Sequence, residues 1–88
     1  MHEARPEIER KVLELAIQES HSPSATLSLD SQFLADFGLD SLGFVNVVEG
    51  LEQAFQITIP DQEILKSPWT PRGLVEVVVH RLNVRDRV

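Results

Sequence analysis

The segment from Asp36 to Phe55 constrains everything around it. It opens with Asp36-Phe37-Gly38-Leu39-Asp40-Ser41-Leu42 and continues with Leu42, Val45, Val48, Leu51 and Phe55, apolar residues three and four apart. That spacing predicts a helix from Ser41 to Phe55 with those five residues on its core face. Gly38 is a turn residue, and Asp40 fits the N-cap, where its carboxylate accepts backbone N–H groups of the first turn. Leu39 before the cap and Phe44 in the next turn are placed as a hydrophobic staple. Ser41 then becomes the first helical residue, at an end where free N–H groups and the positive end of the dipole favour an anion. A serine presented in this way suits a covalently attached phosphate.

The rest of the chain reads as further helices. Residues 1 to 5 are polar and expected to fray. Pro6 fits the first turn of a helix that Ile8, Val12 and Leu15 carry at helical spacing, with Leu13, Ala16 and Ile17 widening the stripe to about Glu19. His21 to Asp40 shows no helical period and contains Pro23. A loop that long must pack through its own side chains, here Leu27, Leu29, Phe33, Leu34, Phe37 and Leu39. A turn of helix is expected near Asp30 to Leu34. After an extended Ile57 to Ile59, Pro60-Asp61 restarts a short helix to about Lys66, which Ser67-Pro68 ends. Thr70 caps a last helix with Pro71 at its first position and a second staple from Trp69 to Leu74. Its Leu74, Val77, Val78 and Leu82 face inward, and Arg81, Arg85 and Arg87 suit its negative C-terminal end. Gly50 costs helix two roughly 1 kcal/mol against alanine and suggests close packing there. Val77-Val78-Val79 has no partner strand, so the fold class is all-α: an antiparallel four-helix bundle of three longer helices and one short, with a long loop between the first two.

Eighty-eight residues are one domain (residues 1–88, core about 6–84), with a modest core and little room for an enzyme fold. Without cysteine there is neither disulfide nor thiolate metal site, and no stretch approaches the roughly 20 apolar residues of a membrane span. The expectation is a soluble, cytoplasmic monomer. The net charge is −6, but its placement says more. Between Val12 and Leu65 there are nine acidic residues and no Lys or Arg. A nucleic-acid binder needs the opposite sign. An acidic window around an exposed serine fits either a solubilising surface or the steering of partners that carry basic docking patches.

Asp36-Phe37-Gly38-Leu39-Asp40-Ser41-Leu42, with Val45, Val48, Leu51-Glu52, Phe55 and Ile57-Thr58-Ile59-Pro60-Asp61 after it, resembles the acyl carrier protein family over nearly the whole chain, from about Ile8 to about Leu82. The resemblance implies a 4′-phosphopantetheine arm, derived from coenzyme A, on Ser41. A phosphopantetheinyl transferase would add it with Mg²⁺, and enzymes that transfer, condense or modify acyl groups would then use it. The chain itself would be a non-catalytic carrier of acyl thioesters in fatty-acid, lipid or polyketide biosynthesis. Asp36, Asp40, Leu42, Glu49, Glu52 and Asp61 are the expected partner-recognition residues. Val45, Val48, Phe55, Ile59 and Leu65 are core residues that could also wall an acyl pocket, and Trp69 is a packing residue. The sequence also departs from the family. Acids common two, five, twelve and thirteen residues after the serine are replaced by Gly43, Asn46, Gln53 and Ala54, which implies a specialised carrier with its own partners.

Other chemistries fit less well. A serine hydrolase would need a base, and His2, His21 and His80 are the candidates, but Gly38-Leu39-Asp40-Ser41-Leu42 is not Gly-x-Ser-x-Gly. No metal site is expected: Gln32 and Leu34 fall where a calcium loop starting at Asp30 would place ligands. An unmodified acidic interaction or regulatory module, and a peptidyl or aminoacyl carrier, are the remaining alternatives.

Overall fold

A computed structural model describes residues 5–20 and 27–86. The expected fraying of residues 1–4, and His2, His21, Pro23 and Arg87, lie outside the described residues. Among the described residues there are four helices: α1 (Arg5–Glu19), α2 (Ser41–Phe55), α3 (Asp61–Lys66) and α4 (Pro71–Arg85). None among the described residues is long and apolar enough to cross a membrane. Arg5, expected to fray, is instead the first residue of α1, and its guanidinium is paired with Glu76 on α4.

Close contacts set the directions of the helices. Leu15 packs over Gly50, while Glu19, one turn further along α1, reaches Asn46 nearer the start of α2. The two helices therefore run antiparallel. Arg5 meets Glu76, and Glu9 lies in the field of Arg72, so α1 is antiparallel to α4 as well. Between them, Ile8, Val12 and Ala16 of α1 and Leu74, Val75, Val78 and Leu82 of α4 close one core with Val47 and Leu51.

The face that α2 buries differs from the expected one. Phe44, Val47, Val48 and Leu51 are buried, Phe55 is half-buried, and Leu42 and Val45 stand exposed at 68% and 46%. Helix α2 is apolar over much of its circumference, so two interleaved stripes satisfy the same helical spacing. The bulk of Phe44 decides which is buried: its ring meets Phe33 edge-on at 5.4 Å, and Phe33 in turn packs on Phe37 at 5.6 Å.

The long loop does pack through its own side chains, with Phe33, Phe37 and Leu39 buried and Leu27 and Leu29 half-buried against them, but Leu34, expected among them, is exposed. Its turn lies further along than expected. Gln32 O accepts from Asp36 N (2.8 Å) and Phe37 N (3.1 Å), and the Asp36 carboxylate accepts from Gln32 N at 2.7 Å. Asp30 instead pairs with Arg72, tying the loop to α4. Arg81 and Arg85 also act away from their own helix end. Arg85 donates to Phe55 O at 2.7 Å, covering the C-terminal carbonyls of α2, and Arg81 donates to Thr58 O at 3.0 Å.

Candidate functional site: the start of α2 and the furrow beside it

Ser41 is exposed as the first residue of α2. Gly38, with φ 70°, turns the chain out of the loop, and Leu39 is buried behind the turn. Asp40 is the N-cap, its carboxylate accepting from Gly43 N at 2.7 Å. The side chain of Leu39, the cap and the Asp40 carbonyl bonded to Phe44 N (3.0 Å) fix the direction in which α2 begins. The hydroxyl is thus carried on a rigid element at the positive end of a helix.

A furrow of about 400 Å³ runs alongside between α2 and α3. Its α2 wall descends from Phe44, one turn past Ser41, through Val45, Val48 and Glu49 to Glu52, and Ile59, Asp61, Ile64 and Leu65 face it. Eight residues of helix separate Phe44 from Glu52, about 12 Å at 1.5 Å per residue. Trp69 closes the Ser41 end, its ring stacked on Phe44 with centroids 4.7 Å apart and planes 6° from parallel.

Of the five residues expected to wall a pocket, Val45, Val48, Ile59 and Leu65 line this furrow. Phe55 does not: it lies near the far end of α2 beside Glu7, Arg10 and Lys11 of α1. Leu65, expected in the core, is 73% exposed, because a helix of six residues buries only Ile64 against the bundle. Phe44 and Trp69, expected only as staple residues, and Ile64 complete the lining. The adjacency of Phe44 to Ser41 was a usable signal; the approach of Trp69 from twenty-five residues further on was not.

The acidic residues divide by what holds them. Asp36, Asp40, Glu49 and Asp61 are exposed, as is Leu42. Glu52 is half-buried and accepts from Ile59 N at 2.8 Å, so it pins the α2–α3 connection at the far end of the furrow. Two of the four positions expected to depart from the family, Gly43 and Asn46, meet the end of α1. A Cβ on Gly43 would stand 3.2 Å from Asp40 Oδ1 and 3.5 Å from Glu19 Cβ, and Asn46 Nδ2 donates to Glu19 Oε1 at 3.2 Å. Glu19 at the end of α1 thus packs its Cβ against the position two residues after Ser41 and bonds its carboxylate to the residue five after it. His80 is exposed on α4, where it lines a groove with Lys66, Thr70 and Arg72 that does not include Ser41.

Comparison with known proteins agrees with this geometry. Residues 10–78, most of the chain, match the family model described as a phosphopantetheine attachment site. The chain is 34% identical over 59 residues to an acyl carrier protein of Rickettsia bellii, covering 67% of this chain and 69% of that one. It belongs to the acyl carrier protein family. A Beutenbergia cavernae acyl carrier protein is 33% identical over 64 residues, 73% of this chain and 78% of its own. One from Prochlorococcus marinus is 39% identical over 59 residues, 67% and 74% of the two chains. No solved structure matches the chain. With this family comes a covalently attached 4′-phosphopantetheine, and with that a transferase that adds it and acyl-processing enzymes that use it. The start of α2 fits such a group, since the exposed Ser41 hydroxyl stands where a helix end stabilises a phosphodiester.

Proposed function

We propose that Ser41 carries the phosphopantetheine arm and that this chain presents acyl thioesters on it to partner enzymes of fatty-acid, lipid or polyketide biosynthesis. The observation that carries this reading is the exposed hydroxyl on the first residue of a capped helix, inside the matched segment. The arm supplies a flexible thiol to a chain that has no cysteine, and tethering raises the effective concentration of cargo at each partner. The chain performs no step of its own in this scheme. Its residues aim the hydroxyl, hold α2 rigid and present charge. The transferase makes the phosphate ester, transferring the phosphopantetheinyl group from coenzyme A to Ser41 Oγ with release of adenosine bisphosphate.

Asp36, Asp40, Leu42, Glu49 and Asp61 form the face we assign to partner docking, all exposed on or beside α2. Opposite charge on a partner would speed encounter and set register, and Leu42 would supply an apolar anchor. Glu52 contributes mainly by holding the α2–α3 connection. With the acids two and five residues past the serine replaced, enzymes that read those positions on α2 should dock less well, which favours a specialised set of partners.

The test is direct. Incubation with coenzyme A, Mg²⁺ and a broad-range phosphopantetheinyl transferase should add the mass of one arm, and Ser41→Ala should abolish the gain without changing the helical circular dichroism. A folded wild-type chain that gains no mass would leave an unmodified helical interaction module as the reading.

A further inference from the structure

We propose that the end of α1, Glu19 and Ser20, is a clamp that positions Ser41 for arm transfer. Ser20 holds the backbone just before the serine, and Glu19 holds the helix just after it. The inference rests on the carrier reading above and adds two positioning residues to it.

An exposed side chain is aimed by the backbone beneath it. Ser41 is exposed, so the place of its Oγ follows from the turn at residues 37–40 and from the first turn of α2. Within the loop, Gln32 O accepts from Asp36 N and Phe37 N, and Phe33 O accepts from Leu39 N at 3.0 Å. Those bonds shape the turn from inside. Ser20 ties it to α1: its hydroxyl donates to Phe37 O, four residues before Ser41. Ser20 directly follows the last residue of α1, and its own N–H donates to Ile17 O at 3.1 Å, so the hydroxyl is carried on a wound helix end. The helix itself is seated in the core by Ile8, Val12 and Ala16.

Glu19 acts on the other side. Its Cβ lies 3.5 Å from where a Cβ on Gly43 would stand, and its Oε1 accepts from Asn46 Nδ2 at 3.2 Å. The half-buried side chain therefore lies along the opening of α2, against the residue two past Ser41 and bonded to the one five past it. Gly43 is buried and puts no side chain in the way, so the end of α1 comes this close. Two neighbouring residues of another helix thus bracket Ser41. Neither tie needs a net charge: an amide at position 19 would accept from Asn46 as the carboxylate does. The clamp works by geometry, whereas the docking face works by charge.

Arm transfer is sensitive to such a bracket. Ser41 Oγ forms a bond to the phosphorus of the phosphopantetheinyl group as the bond from that phosphorus to adenosine bisphosphate breaks, and the hydroxyl proton leaves to a base on the transferase. The attacking oxygen has to lie in line with the bond that breaks, and a misplacement of about 1 Å costs on the order of a hundredfold in rate. Releasing one side of the bracket moves the oxygen by less, so the expected loss is several-fold.

The experiment follows single-turnover arm transfer from coenzyme A with Mg²⁺ at increasing transferase, read by mass. This separates the rate at saturation from the transferase concentration that half-saturates it. Ser20→Ala, Glu19→Ala and Asn46→Ala should each transfer several-fold more slowly at saturation, with half-saturation and helical circular dichroism as in wild type. Ser20→Thr, which keeps the hydroxyl, and Glu19→Gln, which keeps the acceptor and removes the charge, should both run near the wild-type rate. Glu19→Gln as slow as Glu19→Ala, or a rise in half-saturation in place of a slower rate, would make Glu19 a docking charge and overturn the clamp. So would a wild-type rate in Asn46→Ala, even if a variant at 19 or 20 failed to fold, because Asn46 is exposed and alanine suits a helix. A wild-type chain that accepts no arm would overturn the carrier reading, and the clamp with it.

Discussion

Gly43 and Glu19 show how the end of one helix shapes the first turn of another. A glycine in the first turn of a helix looks like a weakness, costing roughly 0.5–1 kcal/mol against alanine. Here it leaves room for the cap and for the end of α1, with Glu19 Cβ 3.5 Å and Asp40 Oδ1 3.2 Å from where its Cβ would be. The Asp40 carboxylate is the movable end of a side chain and can yield a few tenths of an ångström. Gly43→Ala should therefore lie within about 0.5 kcal/mol of wild type, propensity offsetting the crowding. Gly43→Asp adds a charge between two others. An acid early in a helix ordinarily gains about 0.3–1 kcal/mol from the dipole, but here the carboxylate joins those of Asp40 and Glu19, and repulsion from two neighbours opposes that gain. It should cost about 1–2 kcal/mol in urea unfolding, and Glu19→Gln in the same chain should recover most of the loss. A Gly43→Asp variant as stable as wild type would show that Glu19 does not occupy that space.

At the scale of the helices, what the sequence made legible depended on how many signals coincided. The start of α2 was readable because Gly38, the Asp40 cap and the staple all point to Ser41, and the structure begins α2 there. Its buried face was not, since Leu42, Phe44, Val45, Val47, Val48 and Leu51 offer two stripes of equal period and only the neighbours choose between them. The furrow was legible in part for the same reason: Val45, Val48, Ile59 and Leu65 follow from α2 and its connection, whereas Trp69 arrives through tertiary packing. The end of α2 at Phe55 was legible, but not what covers its carbonyls, because that comes from another helix. Gln56 adopts φ 56° there, and Arg85 Nη1 donates to Phe55 O at 2.7 Å and Gln56 O at 3.3 Å. Removing that exposed guanidinium in Arg85→Ala should cost about 0.5–1.5 kcal/mol. Hydrogen exchange should localise the loss, with the Gln56 and Ile57 amides, both bonded to Glu52 O, less protected and α1 unaffected. Uniform loss of protection would make Arg85 a general contributor and not a cap.

For the molecule as a whole, charge segregation along the chain becomes attraction across the fold. The acidic window holds no Lys or Arg, so each cation that meets it comes from outside, and Arg72, Arg81 and Arg85 of α4 all reach into it. Arg72 makes the longest of these ties, Nε to Asp30 Oδ1 at 2.8 Å and Nη2 to Oδ2 at 3.2 Å, joining the first loop to the start of α4. The hydrogen bond from Arg72, with its charge, holds the Asp30 carboxyl below the usual carboxylate range. A carboxyl depressed in the folded state binds protons more readily when unfolded, so its stabilisation is present above the unfolded pKa, near 3.9 for aspartate, and is lost as pH falls through the folded value. Both side chains are largely exposed, which makes the contribution small and sensitive to salt. Asp30→Asn should therefore melt slightly below wild type at pH 6 to 7, and the gap should close as pH falls below about 4. The same gap at pH 7 should shrink in molar salt. A difference that persists unchanged into acid would place the effect of Asp30 in the Ser28–Ser31 turn it occupies, and not in its tie to α4.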